Sequence, residues 1–122
     1  MKTKIYIAED YAPNAALMEE LLGGNPQYEI TIFGDGLDLY QRVQLDPPNL
    51  LVLDIILPSL TGLAIARLLK FQLDFRKIPI MVVSSVTDDD IREQAAQYGA
   101  DAFMRKPFDS NEFLKEISKL LS

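Results

Sequence analysis

The strongest constraint on this chain is an alternation. Five short apolar runs, at residues 4–8, 28–33, 50–53, 79–83 and 102–104, are separated by stretches of helical length. Runs this short and apolar on most of their residues, with Glu29 and Thr31 interrupting the second, read as buried strands. The intervening stretches carry helical stripes. Residues 13–22 place Leu17, Met18, Leu21 and Leu22 on one side, 36–45 place Leu39, Tyr40 and Val43, and 62–71 place Ile65, Leu68 and Leu69. Residues 87–98 offer only Ile91, Ala95 and Tyr98, whereas 109–121 offer Phe113, Leu114, Ile117, Leu120 and Leu121. Gly23-Gly24 and Gly99 read as stops for the first and fourth helices. Thr87-Asp88-Asp89-Asp90 and Asp109-Ser110-Asn111-Glu112 read as N-terminal caps of the fourth and fifth.

Strands alternating with helices imply an α/β fold with a parallel sheet covered on both faces. Five such units in 122 residues make one domain over 1–122. They suit a five-stranded parallel sheet in the flavodoxin-like order 2-1-3-4-5, with five helices on its two faces. The chain contains no cysteine and no histidine, which excludes disulfides, thiol chemistry and the commonest general base. Chemistry here must run on carboxylates, hydroxyls, lysines and a hard cation. A net charge of −6 argues against direct nucleic-acid binding. No apolar run approaches the ~20 residues of a membrane span. Residues 1–5 enter a strand without a signal-peptide layout, so a soluble cytoplasmic protein is expected.

Open α/β sheets bind ligands at the carboxyl ends of their strands. Glu9 and Asp10 follow the first run, Asp54 the third, Ser84 and Ser85 the fourth, and Arg105, Lys106 and Pro107 the fifth. In the expected order the first and third strands are neighbours, so three carboxylates converge. They repel one another unless something compensates. Magnesium, which takes one or two carboxylates, waters and a phosphate oxygen, is the natural remedy. A carboxylate nucleophile, a hard cation and a lysine clamp together form a kit for phosphoryl transfer. Each feature alone has a plainer reading, as a helix cap or a solvated lysine. Four of them at four strand ends do not.

These residues resemble the signature of response-regulator receiver domains, and the resemblance covers essentially the whole chain. Glu9-Asp10 is similar to the family's acidic pair. Residues 54–62, from Asp54 through Pro58 to Gly62, resemble its D-x-x-[ML]-P-x-x-x-G segment. Ser84, Phe103 and Lys106-Pro107-Phe108 resemble its switch hydroxyl, switch aromatic and K-P-F motif. The resemblance implies that Asp54 is the phosphoacceptor. It implies a magnesium site made by Asp10 directly, Glu9 through water or at the rim, Asp54, and the backbone carbonyl of Ile56. Lys106 would pair with Asp54 before transfer and with the phosphoryl group after it. Ser84 would swing to the phosphoryl group, and Phe103 would turn inward into the vacated space. Lys106-Pro107 would be a cis bond. The phosphodonor would be a histidine kinase or histidine phosphotransfer protein. The output surface would be the face of the last two helices, with Arg92, Glu93, Gln97, Lys115 and Lys119, signalling to a downstream protein or output domain. Such a chain is not an enzyme in the ordinary sense, since it catalyses only its own phosphorylation and dephosphorylation.

Ile56 and Val86 are apolar at positions flanking the approach to Asp54, where many relatives carry polar groups. With no side chain to position an attacking water, phospho-Asp54 is expected to last hours rather than seconds. Other classes fit less well. A flavodoxin needs a Ser/Thr/Gly-rich loop after the first strand, where this chain has Glu9-Asp10-Tyr11. An aspartate-nucleophile phosphatase needs a second Asp where Ile56 stands. A receiver-shaped module that is never phosphorylated usually lacks one of the acids or the lysine. Met1 directly before the first strand reads as a natural start. Whether the receiver stands alone or belongs to a longer chain stays open.

Overall fold

A computed structural model describes residues 2–122. The expected alternation is present in full: β1 (Thr3–Ala8), α1 (Ala12–Gly23), β2 (Tyr28–Phe33), α2 (Gly36–Leu45), β3 (Leu50–Asp54), α3 (Gly62–Lys70), β4 (Ile80–Ser84), α4 (Ile91–Gln97), β5 (Ala102–Arg105) and α5 (Ser110–Leu121). The strands form one parallel sheet in the order β2-β1-β3-β4-β5, as expected.

The consecutive apolar residues of the strands are explained by the two cores. Tyr6, Ala8, Leu51, Leu53, Ile80 and Val82 face one side, under α2, α3 and α4. Ile5, Ile7, Leu50, Val52, Met81 and Val83 face the other, under α1 and α5. All five residues of β3 and all five of β4 are buried, whereas β2 and β5, the edge strands, are only half-buried, so the expectation of buried strands fails at the sheet's two edges. Full burial of a Leu, Ile or Phe side chain is worth about 1.5–3 kcal/mol, and this packing holds the strand ends rigid where the chemistry is expected.

The helices depart from expectation at their ends. Leu17 and Leu68, expected on buried stripes, are exposed at 40% and 42%, and α1 buries Ala15, Met18 and Leu22 while α3 buries Ile65, Ala66 and Leu69. Gly24 does end α1, but with right-handed backbone (φ −67°) rather than as a left-handed stop. Gly99 ends α4 at φ +108°, the conformation glycine supplies at no steric cost. The largest difference is in α4, which begins at Ile91 and not at Thr87. Asp90 caps it without a side-chain bond, and the Asp90 amide instead bonds Asp88 Oδ1 at 3.0 Å. Successive aspartates offer the backbone local partners that compete with helix, and Thr87–Asp90 contains no apolar residue to pull it onto the core. At α5 the cap is as expected, with Asp109 accepting from the Glu112 amide at 2.9 Å. The Lys106-Pro107 bond is cis.

Candidate functional site

Strand register builds the site. Ala8 pairs with Leu53, which sets Glu9 beside Asp54, and Asp54 itself pairs with Val83. Ser84 pairs with Arg105, which sets Ser85 beside Lys106. Among the described residues the buried polar ones are Glu9, Asp54 and Ser84, and each stands at the carboxyl end of a strand. Burying such groups is costly unless they are partnered. Here they are partnered, and no buried side-chain polar atom among the described residues lacks a hydrogen bond.

Lys106 joins the carboxylates. Its ammonium donates to Glu9 Oε1 at 2.5 Å and to Asp54 Oδ2 at 2.9 Å. Asp54 Oδ1 accepts from the Ile56 amide at 3.3 Å, and Glu9 Oε2 from the Tyr11 amide at 3.2 Å. One carboxylate oxygen from each of Glu9, Asp10 and Asp54 lies within 4.8 Å of the others. Burial, and then the Asp54 charge, push the Glu9 carboxyl above the usual carboxylate range, against the pull of Lys106 and the Tyr11 amide. Burial alone would lower the Lys106 ammonium, but its bonds to Glu9 and Asp54 outweigh that and hold it above 10.5. Three carboxylates against one ammonium leave the pocket anionic. An all-oxygen donor set of this spacing fits a hard divalent cation.

Glu9, expected to act through water or at the rim, does not lie at the rim. Glu9 is interior, 2% exposed and tied to Lys106, whereas Asp10 is the exposed one at the rim. A cavity of about 460 Å³ opens over the site, lined by Glu9, Asp10, Asp54, Ile56, Ser85 and Lys106 and, unanticipated from sequence, by Tyr11 and Asn14. Tyr11 and Asn14 stand in and after the β1–α1 turn, so the rule that ligands meet strand ends could have flagged them. Ser84 is fully buried, and its hydroxyl accepts from the Val86 amide at 3.0 Å, so Ser85 rather than Ser84 lines the cavity. Ile56 projects over the pocket, 62% exposed, while Val86 packs against the core under α2–α4 and does not line it. Phe103 lies beneath the Arg92 guanidinium, 4.8 Å from its ring centroid, in a groove bordered by α4 and α5. Gly62 is required where α3 starts, because a Cβ there would fall 2.0 Å from the Asp54 carbonyl oxygen.

Comparison with known proteins agrees with this geometry. Residues 5–118 match the model of the response regulator receiver domain, and the chain belongs to that family. It is 33% identical over 119 residues to the response regulator ArlR of Staphylococcus aureus, across 98% of this chain and 52% of that protein. The chain therefore spans about half the length of the curated relatives it matches. The signal receiver domain of a signal transduction histidine kinase from Syntrophus aciditrophicus superposes with a TM-score of 0.89 at 27% identity, covering 98% of this chain and 89% of that one. The receiver domain of a sensor histidine kinase from Pseudomonas aeruginosa, solved with a magnesium ion coordinated in its active site cleft, gives a TM-score of 0.88 at 23% identity, covering 99% of this chain and 98% of that one. No helix among the described residues is long and apolar enough to cross a membrane.

Proposed function

We propose that this receiver accepts one phosphoryl group on Asp54 from the phosphohistidine of a histidine kinase or histidine phosphotransfer protein. The observation that carries the reading is the convergence of Glu9, Asp10 and Asp54 within 4.8 Å with Lys106 bridging two of them. An Asp54 carboxylate oxygen attacks phosphorus in line. The phosphorus–nitrogen bond breaks with its electron pair on the imidazole, which a proton from solvent neutralises, and an acyl phosphate forms on Asp54. Glu9, Asp10, Asp54 and the Ile56 carbonyl would hold magnesium, which when bound supplies neutralisation of the phosphoryl charge. The magnesium ion in the similar Pseudomonas receiver supports that assignment.

Lys106, freed from Asp54 by the transfer, holds a phosphoryl oxygen. Ser84 turns its hydroxyl from the Val86 amide to the phosphoryl group, and Phe103 turns into the space it leaves. The face of α4 and α5 around Arg92, Glu93, Gln97, Lys115 and Lys119 carries the change to a downstream protein or output domain. The chain works in the cytoplasm and performs no chemistry beyond its own phosphorylation and dephosphorylation. Intact mass after treatment with acetyl phosphate and magnesium tests the reading: wild type gains one phosphoryl group and Asp54→Asn gains none. Modification that survives in the variant sinks the assignment.

A further inference from the structure

The loop from Ile55 to Thr61 joins β3 to α3 and carries Ile56 over the pocket, yet much of what holds it comes from a distant turn. Asp35 caps α2 through Oδ1, which accepts from the Leu37 and Asp38 amides at 2.9 and 3.1 Å. Its other oxygen, Oδ2, accepts from the Ser59 hydroxyl at 2.5 Å, across 24 residues of sequence. The next residue, Gly36, donates its amide to the Pro58 carbonyl at 3.1 Å. It also lies so close to the loop that a Cβ would fall 1.8 Å from the Leu60 carbonyl oxygen. At the loop's other end the Gly62 amide donates to the Ile55 carbonyl at 3.0 Å. Between these ties Ser59 is held at φ +69°, the one non-glycine in the left-handed region among the described residues. Serine does not adopt that conformation freely, and the bond to Asp35 gives it a reason to stay.

We propose that Asp35, Gly36 and Ser59 form a clasp that positions the β3–α3 loop, and with it Asp54 and Ile56, for binding at the pocket. The plainer account makes Asp35 a helix cap and nothing more. A cap uses one carboxylate oxygen on its own helix. It does not explain the second oxygen on Ser59, nor the amide of Gly36 on Pro58. Among the described residues Asp35 and Ser59 share no side-chain hydrogen bond or ion pair with the carboxylate cluster or Lys106. They are positioning residues, and they act by limiting how far residues 55–60 can move from the carboxylates.

The inference rests on the proposed phosphoacceptor function for its consequence but not for its mechanics, so two readouts separate the two. Two variants each spare the rest of the fold. Asp35→Ser keeps a capping oxygen for α2 but is too short to reach Ser59. Ser59→Gly removes the hydroxyl and accepts the positive φ without strain. Amide hydrogen exchange of the metal-free protein is the first readout, with at least tenfold faster exchange at the Leu60 and Gly62 amides expected in both variants and α2 core amides unchanged. Magnesium titration followed by NMR at the Asp54 and Ile56 amides is the second, with binding at least threefold weaker in both. The double variant should match either single variant, because the two remove one interaction. Unchanged exchange in both variants overturns the clasp. Faster exchange with unchanged magnesium affinity overturns its positioning role. A wild type that shows no magnesium-dependent shifts at the pocket overturns the proposed metal site, while the exchange experiment still decides the clasp.

Discussion

Among the described residues lining the pocket Lys106 is the single cation beside three carboxylates, so Lys106→Met tests whether that pairing holds the site together. The ammonium sits 2.5 Å from Glu9 and 2.9 Å from Asp54, with side-chain exposures of 11% for Lys106, 1% for Glu9 and 11% for Asp54. Methionine keeps most of the length and an apolar stem but leaves two buried carboxylates facing each other. Removing one partner of a buried ion pair costs about 3–5 kcal/mol. The loss has a ceiling, because Glu9 can take up a proton instead. Binding a proton at pH 7 to a group of ordinary pKa 4.5 costs about 1.36 kcal/mol per unit, or roughly 3.4 kcal/mol. The expected destabilisation is therefore about 3 kcal/mol, a fall in Tm of about 10 °C for a domain of this size. Glu9 is already raised in the folded protein and rises further in the variant. Its folded state then binds a proton that the unfolded state has released, so the Glu9 part of the deficit shrinks as pH falls from 7 toward the unfolded value of 4.5. Thermal melts in EDTA across that range provide the assay. A variant melting within 2 °C or so of wild type at pH 7.5 (about half a kcal/mol) would refute the reasoning, as would a deficit that grows on acidification.

Glycine substitutions make a second test: Gly62→Ala, with its Cβ 2.0 Å from a backbone oxygen, should lose about 3 kcal/mol, whereas Gly23→Ala, with nothing within 4 Å, should gain about 0.5 kcal/mol in chemical denaturation. Gly62→Ala melting like wild type would show that the β3–α3 loop yields more than its contacts imply. Phospho-Asp54 should decay over hours after the donor is removed, and Ile56→Asn, which puts an amide where an attacking water must pass, should speed the loss by about tenfold. Val86→Glu alone should do less, because Val86 packs on the core and does not line the pocket. A wild-type lifetime of seconds, measured by intact mass, overturns that expectation.

The sheet was legible because burial on both faces writes itself as consecutive apolar residues, and parallel order follows from the helices between them. The meeting of two carboxylates was legible for the same reason: once β1 neighbours β3, backbone register alone sets Glu9 beside Asp54. What could not be read is decided by side-chain partners across the fold. Nothing within Glu9-Asp10 says which acid turns inward; the Lys106 ammonium arriving from the end of β5 takes Glu9 and leaves Asp10 at the rim. Ser84 and Ser85 pose the same ambiguity, and the Val86 amide engages the first. The start of α4 was misplaced because Thr87–Asp90 has the letters of a cap but no apolar residue to dock, so local aspartate bonding prevails until Ile91 reaches the core. Asp35 and Ser59 illustrate the limit most sharply. Each is an ordinary turn residue in its own segment, and only the adjacency of β2–α2 to β3–α3 makes them one device. The contacts that tune this site are therefore those between loops, where sequence periodicity carries no information, and they are the contacts on which its affinity and lifetime should depend.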